Sequence, residues 1–385
     1  MAERRLGRRR KVACVINSFE GGGAERVLAT LLREFGDGGW LGADVDLELV
    51  LLDDAPTCYR WPADVNCYVL AADGAMTRSI RRLLDYTRRH QPDLIVAFLS
   101  RANVAAVASG IRHGVPIVVS ERVHTTEHLA GGGLRKIFAR QLIRLIYPRA
   151  DKVVAVSHGV ANDLVDNFGV APRRIEVIHN PYDLEGIRTK ATAPVPSNLP
   201  TKFVVAVGRL TANKNFAMLI RAYARARLDE DLVILGTGEL DGELVRLADK
   251  LGVAPRVRFA GFVANPYAVM IRARAFVSAS NVEGFPNAAA EAMVLGRPVA
   301  MTDCPSGPSE LLGGTAPAGA GVVRARYGVL TPVGDEPALA DALRLIVTPE
   351  MESYGDRAAR RMEDFSAATI ARRYAACIEE LMPSA

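Results

Sequence analysis

Short continuous apolar runs, each followed by a turn and a stretch of helical periodicity, recur along nearly the whole chain. In the first half they are Lys11–Ile16, Val45–Leu52, Leu94–Leu99, Pro116–Ser120, Lys152–Val156 and Ile175–Ile178. In the second they are Phe203–Val207, Leu232–Leu235, Val257–Phe259, Ala275–Ala279 and Pro298–Met301. Runs that do not alternate apolar with polar suit strands buried on both faces. Helical stretches separate most of them, so the pattern predicts an α/β protein with parallel, doubly wound sheets. One break interrupts it: residues 181–201 carry Pro181, Pro194, Pro196 and Pro200 with little periodicity, and a fresh strand opens at Phe203. The predicted organisation is therefore a Rossmann-like domain over 1–180, a linker over 181–201 and a second Rossmann-like domain over 202–365. A final helix over 366–385 is free to cross back to the first domain. Two such domains are expected to face one another across a cleft at the carboxyl ends of their strands.

Composition narrows the class. Of 385 residues, 49% are hydrophobic and 24% charged, which excludes a disordered or collagen-like chain. No apolar run approaches the ~20 residues of a membrane span, and the basic start leads into too short an apolar stretch for a good signal peptide. The five cysteines are scattered, with no metal-ligand or Cys-x-x-Cys spacing, as in a reduced cytoplasmic protein. The net charge is +5, and residues 1–190 hold 27 Lys and Arg against 22 Asp and Glu, so the first half carries the whole excess. That is too modest to suggest nucleic-acid binding, but it points the first domain toward an acidic partner.

The densest chemistry lies in Asn281-Val-Glu-Gly-Phe-Pro-Asn-Ala-Ala-Ala-Glu-Ala-Met-Val-Leu-Gly-Arg-Pro298. Pro286 suits the first turn of a helix that Gly296 closes. Glu283 then falls in a strand-to-helix loop, and Glu291 in a helix apolar on nearly every side. A carboxylate there either reaches solvent or needs partners, for which ribose hydroxyls are suitable. The helix start is also an anion site. In Val207-Gly-Arg-Leu-Thr-Ala-Asn-Lys-Asn215, Arg209 and Lys214 leave one loop at a strand end, as two surface cations or as a clamp for a diphosphate. Gly236-Thr-Gly-Glu239 is a partial G-x-G-x-x-G with Asp241 in sixth place, and close packing explains its glycines equally well.

In the first half, Glu20-Gly-Gly-Gly-Ala-Glu-Arg26 follows a strand, so Gly22 and Gly23 allow close approach of a ligand or simply a flexible turn. Ser120-Glu-Arg-Val-His-Thr-Thr-Glu-His128 offers His124 as a donor to a substrate hydroxyl or phosphate, or as a solvated loop residue. Asp44-Val-Asp46 has the look of a metal motif but sits at the wrong end of its strand. No metal ligand set is expected. Ser157 lacks a nucleophile elbow. The stretch Leu134–Tyr147 reads as a two-faced helix. Leu134, Ile137, Phe138, Leu142, Leu145 and Ile146 line its apolar side, and Arg135, Lys136, Arg140 and Arg144 its basic one. Arg78, Arg81, Arg82, Arg88 and Arg89 add to the positive field. Anionic lipid headgroups suit such a face, and so does plain solvent.

Together these motifs resemble glycosyltransferase family 4, the retaining nucleotide-sugar enzymes of GT-B fold. Glu283 and Glu291 match the family's Glu-x7-Glu signature, Gly-Arg-Leu-(x)3-Lys-Asn-Phe its diphosphate loop, and Gly-Gly-Ala-Glu-Arg its first-domain glycine loop. Val177-Ile-His-Asn-Pro181 resembles the entry to its linker. The resemblance is specific from about Phe203 to Leu312, and Asp303–Glu310 is similar to bacterial members that build lipopolysaccharide, capsule or lipid-linked oligosaccharides.

The resemblance implies that Arg209 and Lys214 hold the diphosphate and stabilise the leaving group, and that Glu291 binds the ribose. Glu283, with the backbone of Gly284, Phe285, Pro286 and Asn287, would face the donor sugar, and Gly22 and Gly23 would close over the phosphates. It implies no cofactor and no metal. Many members carry a His directly after the fourth-region strand, near the donor sugar; here Ser120-Glu121-Arg122 stands there and His124 comes later, so His124, Glu121 and Arg122 all compete for that role. The expected function is transfer of a hexose or N-acetylhexosamine from a nucleoside diphosphate sugar, by resemblance a UDP-sugar, to a glycan or lipid-linked saccharide in cell-surface polysaccharide synthesis. The expected location is cytoplasmic, peripheral on the inner face of the membrane, with an anionic surface as partner. Alternatives are a non-hydrolysing nucleotide-sugar epimerase, or a silent GT-B interaction module.

Overall fold

The computed structural model describes residues 9–42, 44–131, 133–195 and 199–382. The expectations placed on residues 1–8, on Pro196 and on the last three residues lie outside them. The chain divides into two compact units: residues up to Pro181 together with those from Ala367 onward, and Tyr182–Ser366.

The first unit holds strands β1 (Arg10–Ile16), β2 (Val45–Leu51), β3 (Asn66–Val69), β4 (Leu94–Phe98), β5 (Ile117–Glu121), β6 (Lys152–Ala155) and β7 (Ile175–Val177). All pair in parallel in the order β3-β2-β1-β4-β5-β6-β7, with Cys14 of β1 opposite Leu49 of β2 and Val96 of β4. The central strands are apolar throughout because helices cover both faces; Val12 to Ile16 are all fully buried. The helix Ala367–Leu381 belongs to this unit. Its Ile370, Tyr374, Cys377 and Ile378 share a core with Leu28, Leu31 and Leu32 of the helix Gly23–Gly38. Full burial of one such side chain is worth about 1.5–3 kcal/mol.

The second unit holds β8 (Phe203–Val207), β9 (Asp231–Leu235), β10 (Val257–Phe259), β11 (Ala275–Ser278), β12 (Val299–Thr302), β13 (Val323–Arg324) and β14 (Val329–Thr331). Their order is β10-β9-β8-β11-β12-β14-β13, parallel except for the edge strand β13. Each unit thus reverses its strand order once, between β1 and β4 in the first and between β8 and β11 in the second. Such a reversal leaves a crevice at the strands' carboxyl ends where ligands of open α/β sheets bind.

Every predicted strand is present to within a residue or so, but β3, β13 and β14 were not expected. β3 and β13 are partly exposed edge strands without a continuous apolar run, and β14 has only three residues, Val329–Thr331, before Pro332. The linker predicted over 181–201 needs correction, since it contains the helix Leu184–Ala191. Asp183 caps it by accepting from the Gly186 N–H at 2.9 Å, and Leu184, Ile187 and Ala191 are buried in the second unit. Two turns of helix are too short to declare a period against a proline-rich background.

A candidate nucleotide-sugar site

Arg209 and Lys214 leave the carboxyl end of β8 and Glu283 that of β11, so the three flank the reversal point of the second sheet. Lys214 Nζ lies 2.5 Å from Glu283 Oε1, which also accepts from the Ser280 hydroxyl at 2.7 Å. An ammonium has three donors, so this pairing leaves Lys214 two more. Arg209 is exposed. A polar latch that the sequence pattern did not reveal joins the two loops. Asn281 N–H donates to the Asn213 carbonyl at 2.8 Å, and Asn215 Nδ2 to Asn281 Oδ1 at 3.0 Å. Asn215 itself sits in the left-handed region at φ 46° and caps the helix Phe216–Ala226 by accepting from Met218 N–H. No spacing rule predicts such a pair of asparagines.

The Gly236 loop follows β9, next to β8. A Cβ on Gly236 would fall 1.9 Å from the Gly208 carbonyl oxygen, and its φ of +141° is one that few other residues adopt. A Cβ on Gly238 would lie 2.4 Å from the Leu210 carbonyl. These glycines let one strand-end loop press on the other, so close packing is sufficient reason for them.

Glu283 leads into Gly284, Phe285 and Pro286, all buried, and the helix Asn287–Val294. Pro286 stands at the N-cap rather than in the first turn, and no side chain caps the helix there. Asn287 Oδ1 accepts from the Tyr182 hydroxyl at 2.7 Å, and Phe285 packs on Phe365 with ring centroids 5.6 Å apart. The Ser306 hydroxyl donates to the Glu283 carbonyl, and Gly307 lies so close that a Cβ would meet Pro286 Cδ at 2.6 Å. Glu291 is 4% exposed, near the Tyr267 hydroxyl at 3.4 Å. The helix around it is buried on all sides, as its Ala and Met content requires.

In the first unit, Gly22 is the N-cap and Gly23 the first residue of the helix Gly23–Gly38. The Glu25 carboxylate curls back over that start: a Cβ on Gly22 would be 2.2 Å from its Oε2. Burial, then Glu20 nearby, raises the Glu25 pKa against the lowering by its own backbone N–H. His124 is not a solvated loop residue. Its side chain is 13% exposed, and Nδ1, buried without a hydrogen bond, lies 3.6 Å from Oδ2 of the fully buried Asp163.

Glu121 and Arg122 are both engaged internally. Glu121 accepts from the Tyr147 hydroxyl at 2.6 Å and the Arg122 N–H at 3.0 Å, and burial raises its pKa. Arg122 donates to the Tyr374 hydroxyl at 2.8 Å, the Ser120 hydroxyl at 3.2 Å and Asn180 Oδ1. Of the three competitors, His124 alone is not held by hydrogen bonds through its side chain.

The helix Leu134–Ile146 leaves its apolar side uncovered. Leu134, Ile137, Phe138 and Leu145 are 86%, 56%, 69% and 55% exposed, and only Ile143 is buried. Among the basic residues Arg135, Lys136 and Arg144 are exposed, with Lys136 Nζ donating to the Ala130 carbonyl and Arg144 Nε to that of Asn167, both at 2.6 Å. Arg140 is half-buried. The apolar stripe faces outward, and Arg135, Lys136 and Arg144 are exposed beside it. Asp44 and Asp46 each pair with an arginine, Arg10 at 2.8 Å and Arg9 at 2.9 Å. Among the described residues no group of three or more His, Cys, Asp or Glu could hold a metal ion, and no helix is long and apolar enough to cross a membrane.

Comparison with known proteins gives the arrangement a lineage. Residues 201–348 match the family described as "Glycosyl transferases group 1", and residues 21–185 match "Glycosyltransferase Family 4". The chain is 32% identical over 375 residues to N-acetylgalactosamine-N,N'-diacetylbacillosaminyl-diphospho-undecaprenol 4-alpha-N-acetylgalactosaminyltransferase of Campylobacter jejuni, covering 94% of this chain and 97% of that protein. It is 25% identical over 391 residues to a second enzyme of that organism, GalNAc-alpha-(1->4)-GalNAc-alpha-(1->3)-diNAcBac-PP-undecaprenol alpha-1,4-N-acetyl-D-galactosaminyltransferase, covering 96% and 99%. Among solved structures, HepE of Anabaena in complex with UDP superposes with a TM-score of 0.75 at 21% identity, covering 96% of this chain and all of that one. Two Rossmann-like units of GT-B type and full-length likeness to a named transferase agree with the loop geometry: the chain belongs to glycosyltransferase family 4.

Proposed function

We propose that this glycosyltransferase moves a hexose or N-acetylhexosamine from a UDP-sugar to a lipid-linked or surface glycan, with retention of configuration and without a metal ion. The observation that carries the reading is the placing of Arg209, Lys214 and Glu283 about the reversal point of the second sheet, beside the uncapped start of the helix Asn287–Val294. Two cations and a helix N-terminus supply what a departing diphosphate needs. In the proposed step the bond from the anomeric carbon to the diphosphate oxygen breaks as the acceptor hydroxyl bonds to that carbon on the same face. A phosphate oxygen takes the hydroxyl proton, so the protein need provide no general base. Glu291 would bind ribose hydroxyls, Glu283 and residues 284–287 the donor sugar, and Gly22 and Gly23 an anionic group. The lipid-linked acceptor rests on the two Campylobacter relatives, whose names specify undecaprenol diphosphate saccharides. UDP rests on the likeness to HepE.

A membrane location is part of this reading. An outward apolar stripe flanked by arginine, on the unit with the excess of positive charge, suits a helix lying in the headgroups of an anionic bilayer.

The test is thermal unfolding in EDTA with UDP, GDP, ADP or NAD, on wild type and Arg209→Ala. A ligand at 100 times its dissociation constant adds about 2.7 kcal/mol, or roughly 5–10 °C for a domain of this size. A shift with UDP in EDTA that Arg209→Ala loses supports the reading. A shift with GDP alone moves the donor base; a shift that needs added divalent metal overturns metal independence. No shift with any nucleotide favours a silent module.

A further inference from the structure

A fully buried carboxylate needs a reason, and Asp163 has one beside His124. It lies on the helix His158–Phe168. Its Oδ2 accepts the Thr126 N–H at 3.0 Å, and its Oδ1 accepts the Thr126 hydroxyl and Asn167 Nδ2, the latter at 2.9 Å. The two Thr126 donors fix the carboxylate on the turn Thr125–His128, whose N-cap is His124, and Asn167 braces it from its own helix. Two buried side-chain atoms here make no hydrogen bond, Thr125 Oγ1 and His124 Nδ1, and Nδ1 lies 3.6 Å from Oδ2. A lone pair on Nδ1 would face a carboxylate oxygen and be repelled, whereas a proton there is attracted. The partner of one ring nitrogen decides what the other can do.

We propose that Asp163 is a positioning residue for His124. It holds the proton on Nδ1 and fixes the ring, so that Nε2 presents a lone pair to a hydroxyl of the saccharide substrate. The assignment rests on the reading of His124 as a substrate contact, but its physical core, the tautomer, stands apart from that reading. Sequence spacing gave no sign of it, since the two residues are 39 positions apart and on different elements.

The tautomer is directly measurable. In protein carrying ¹⁵N only in its histidines, at pH 8 where an ordinary imidazole is neutral, the His124 signals are assigned by their loss in His124→Ala. Wild type should show Nδ1 protonated and Nε2 bare. Asp163→Asn, which offers an N–H in place of a carboxylate oxygen, should move the proton to Nε2. Nε2 protonated in wild type, or a ring indifferent to Asp163→Asn, overturns the proposal. The wild-type measurement decides even if the variant folds poorly.

Turnover supplies a second readout, with UDP-N-acetylhexosamines as donors and an undecaprenyl-diphosphate saccharide as acceptor. Asp163→Asn should lower kcat by about 10–100-fold, the range seen when a metal-bound histidine loses its outer partner. In the His124→Ala background the same change should cost nothing more. Additive losses would mean a merely structural carboxylate and overturn the proposal. Full turnover in His124→Ala would overturn the substrate contact alone and leave the tautomer result standing.

Discussion

At the scale of single residues, the second unit shows how little room its site leaves. Lys214 and Glu283 come from different loops, yet their charged atoms lie 2.5 Å apart because Asn215 and Asn281 tie those loops together. Gly236 allows a neighbouring loop to rest against the β8 turn, with its own position a hydrogen atom away from the Gly208 carbonyl. Gly236→Ala would place a methyl 1.9 Å from that oxygen in a backbone conformation alanine avoids. The loop that carries Arg209 must then move. We expect a loss of ~3 kcal/mol, near the severe end for a point change, read as a melting temperature lower by about 6–12 °C, with nucleotide stabilisation weakened as well. A normal melt and normal nucleotide response would show that the two loops can separate without consequence.

Helices carry the next level of argument. The stretch Leu134–Ile146 reads as two-faced in sequence, and the natural expectation is that a two-faced helix buries its apolar side. Here Leu134 and Phe138 stand in the open, while Arg144 and Lys136 bond to backbone carbonyls at the flank. Amphipathic periodicity is the same whether the apolar face meets a sheet or a bilayer. Only the packing tells them apart. Co-sedimentation with anionic vesicles should therefore fall about tenfold or more in Leu134→Asp/Phe138→Asp, since each buried leucine or phenylalanine is worth about 1.5–3 kcal/mol. Arg135→Gln should weaken binding by about fivefold, at roughly 1 kcal/mol per basic residue near the surface. Unchanged binding in the double variant would remove this helix from the membrane reading.

For the whole molecule, the path of the chain decides what can stand alone. The chain leaves the first unit at Pro181, builds the second, and returns at Ala367. The returning helix covers Leu28, Leu31 and Leu32, and its Tyr374 hydroxyl takes a hydrogen bond from the buried Arg122. A chain ending before Ala367 would expose that apolar surface and leave Arg122 with one fewer acceptor. It should be insoluble, or bind a hydrophobic dye strongly, whereas Tyr374→Phe should fold with a loss of about 1–3 kcal/mol, as for an unmade hydrogen bond to a charged group. A soluble, cooperatively melting truncation would show the helix to be dispensable.

Most strands, the fold class and the residues at the second sheet's reversal point were legible in the chain itself. Continuous apolar runs register burial on both faces, and loops after such strands carry the chemistry wherever a doubly wound sheet forms. The short strands β3, β13 and β14 and the helix Leu184–Ala191 were not legible: the edge strands β3 and β13 have no continuous apolar run, β14 stops after three residues at Pro332, and two turns of helix carry too little period to rise above their surroundings. Determined by sequence alone were the two parallel sheets and the placing of Arg209 and Lys214 on one strand-end loop, since both follow from local pattern. Decided only in three dimensions were the ion pair of Lys214 with Glu283, the internal use of Glu121 and Arg122, the outward apolar face at Phe138 and the carboxylate behind His124. Each depends on which distant side chain arrives opposite, and local periodicity holds no record of that.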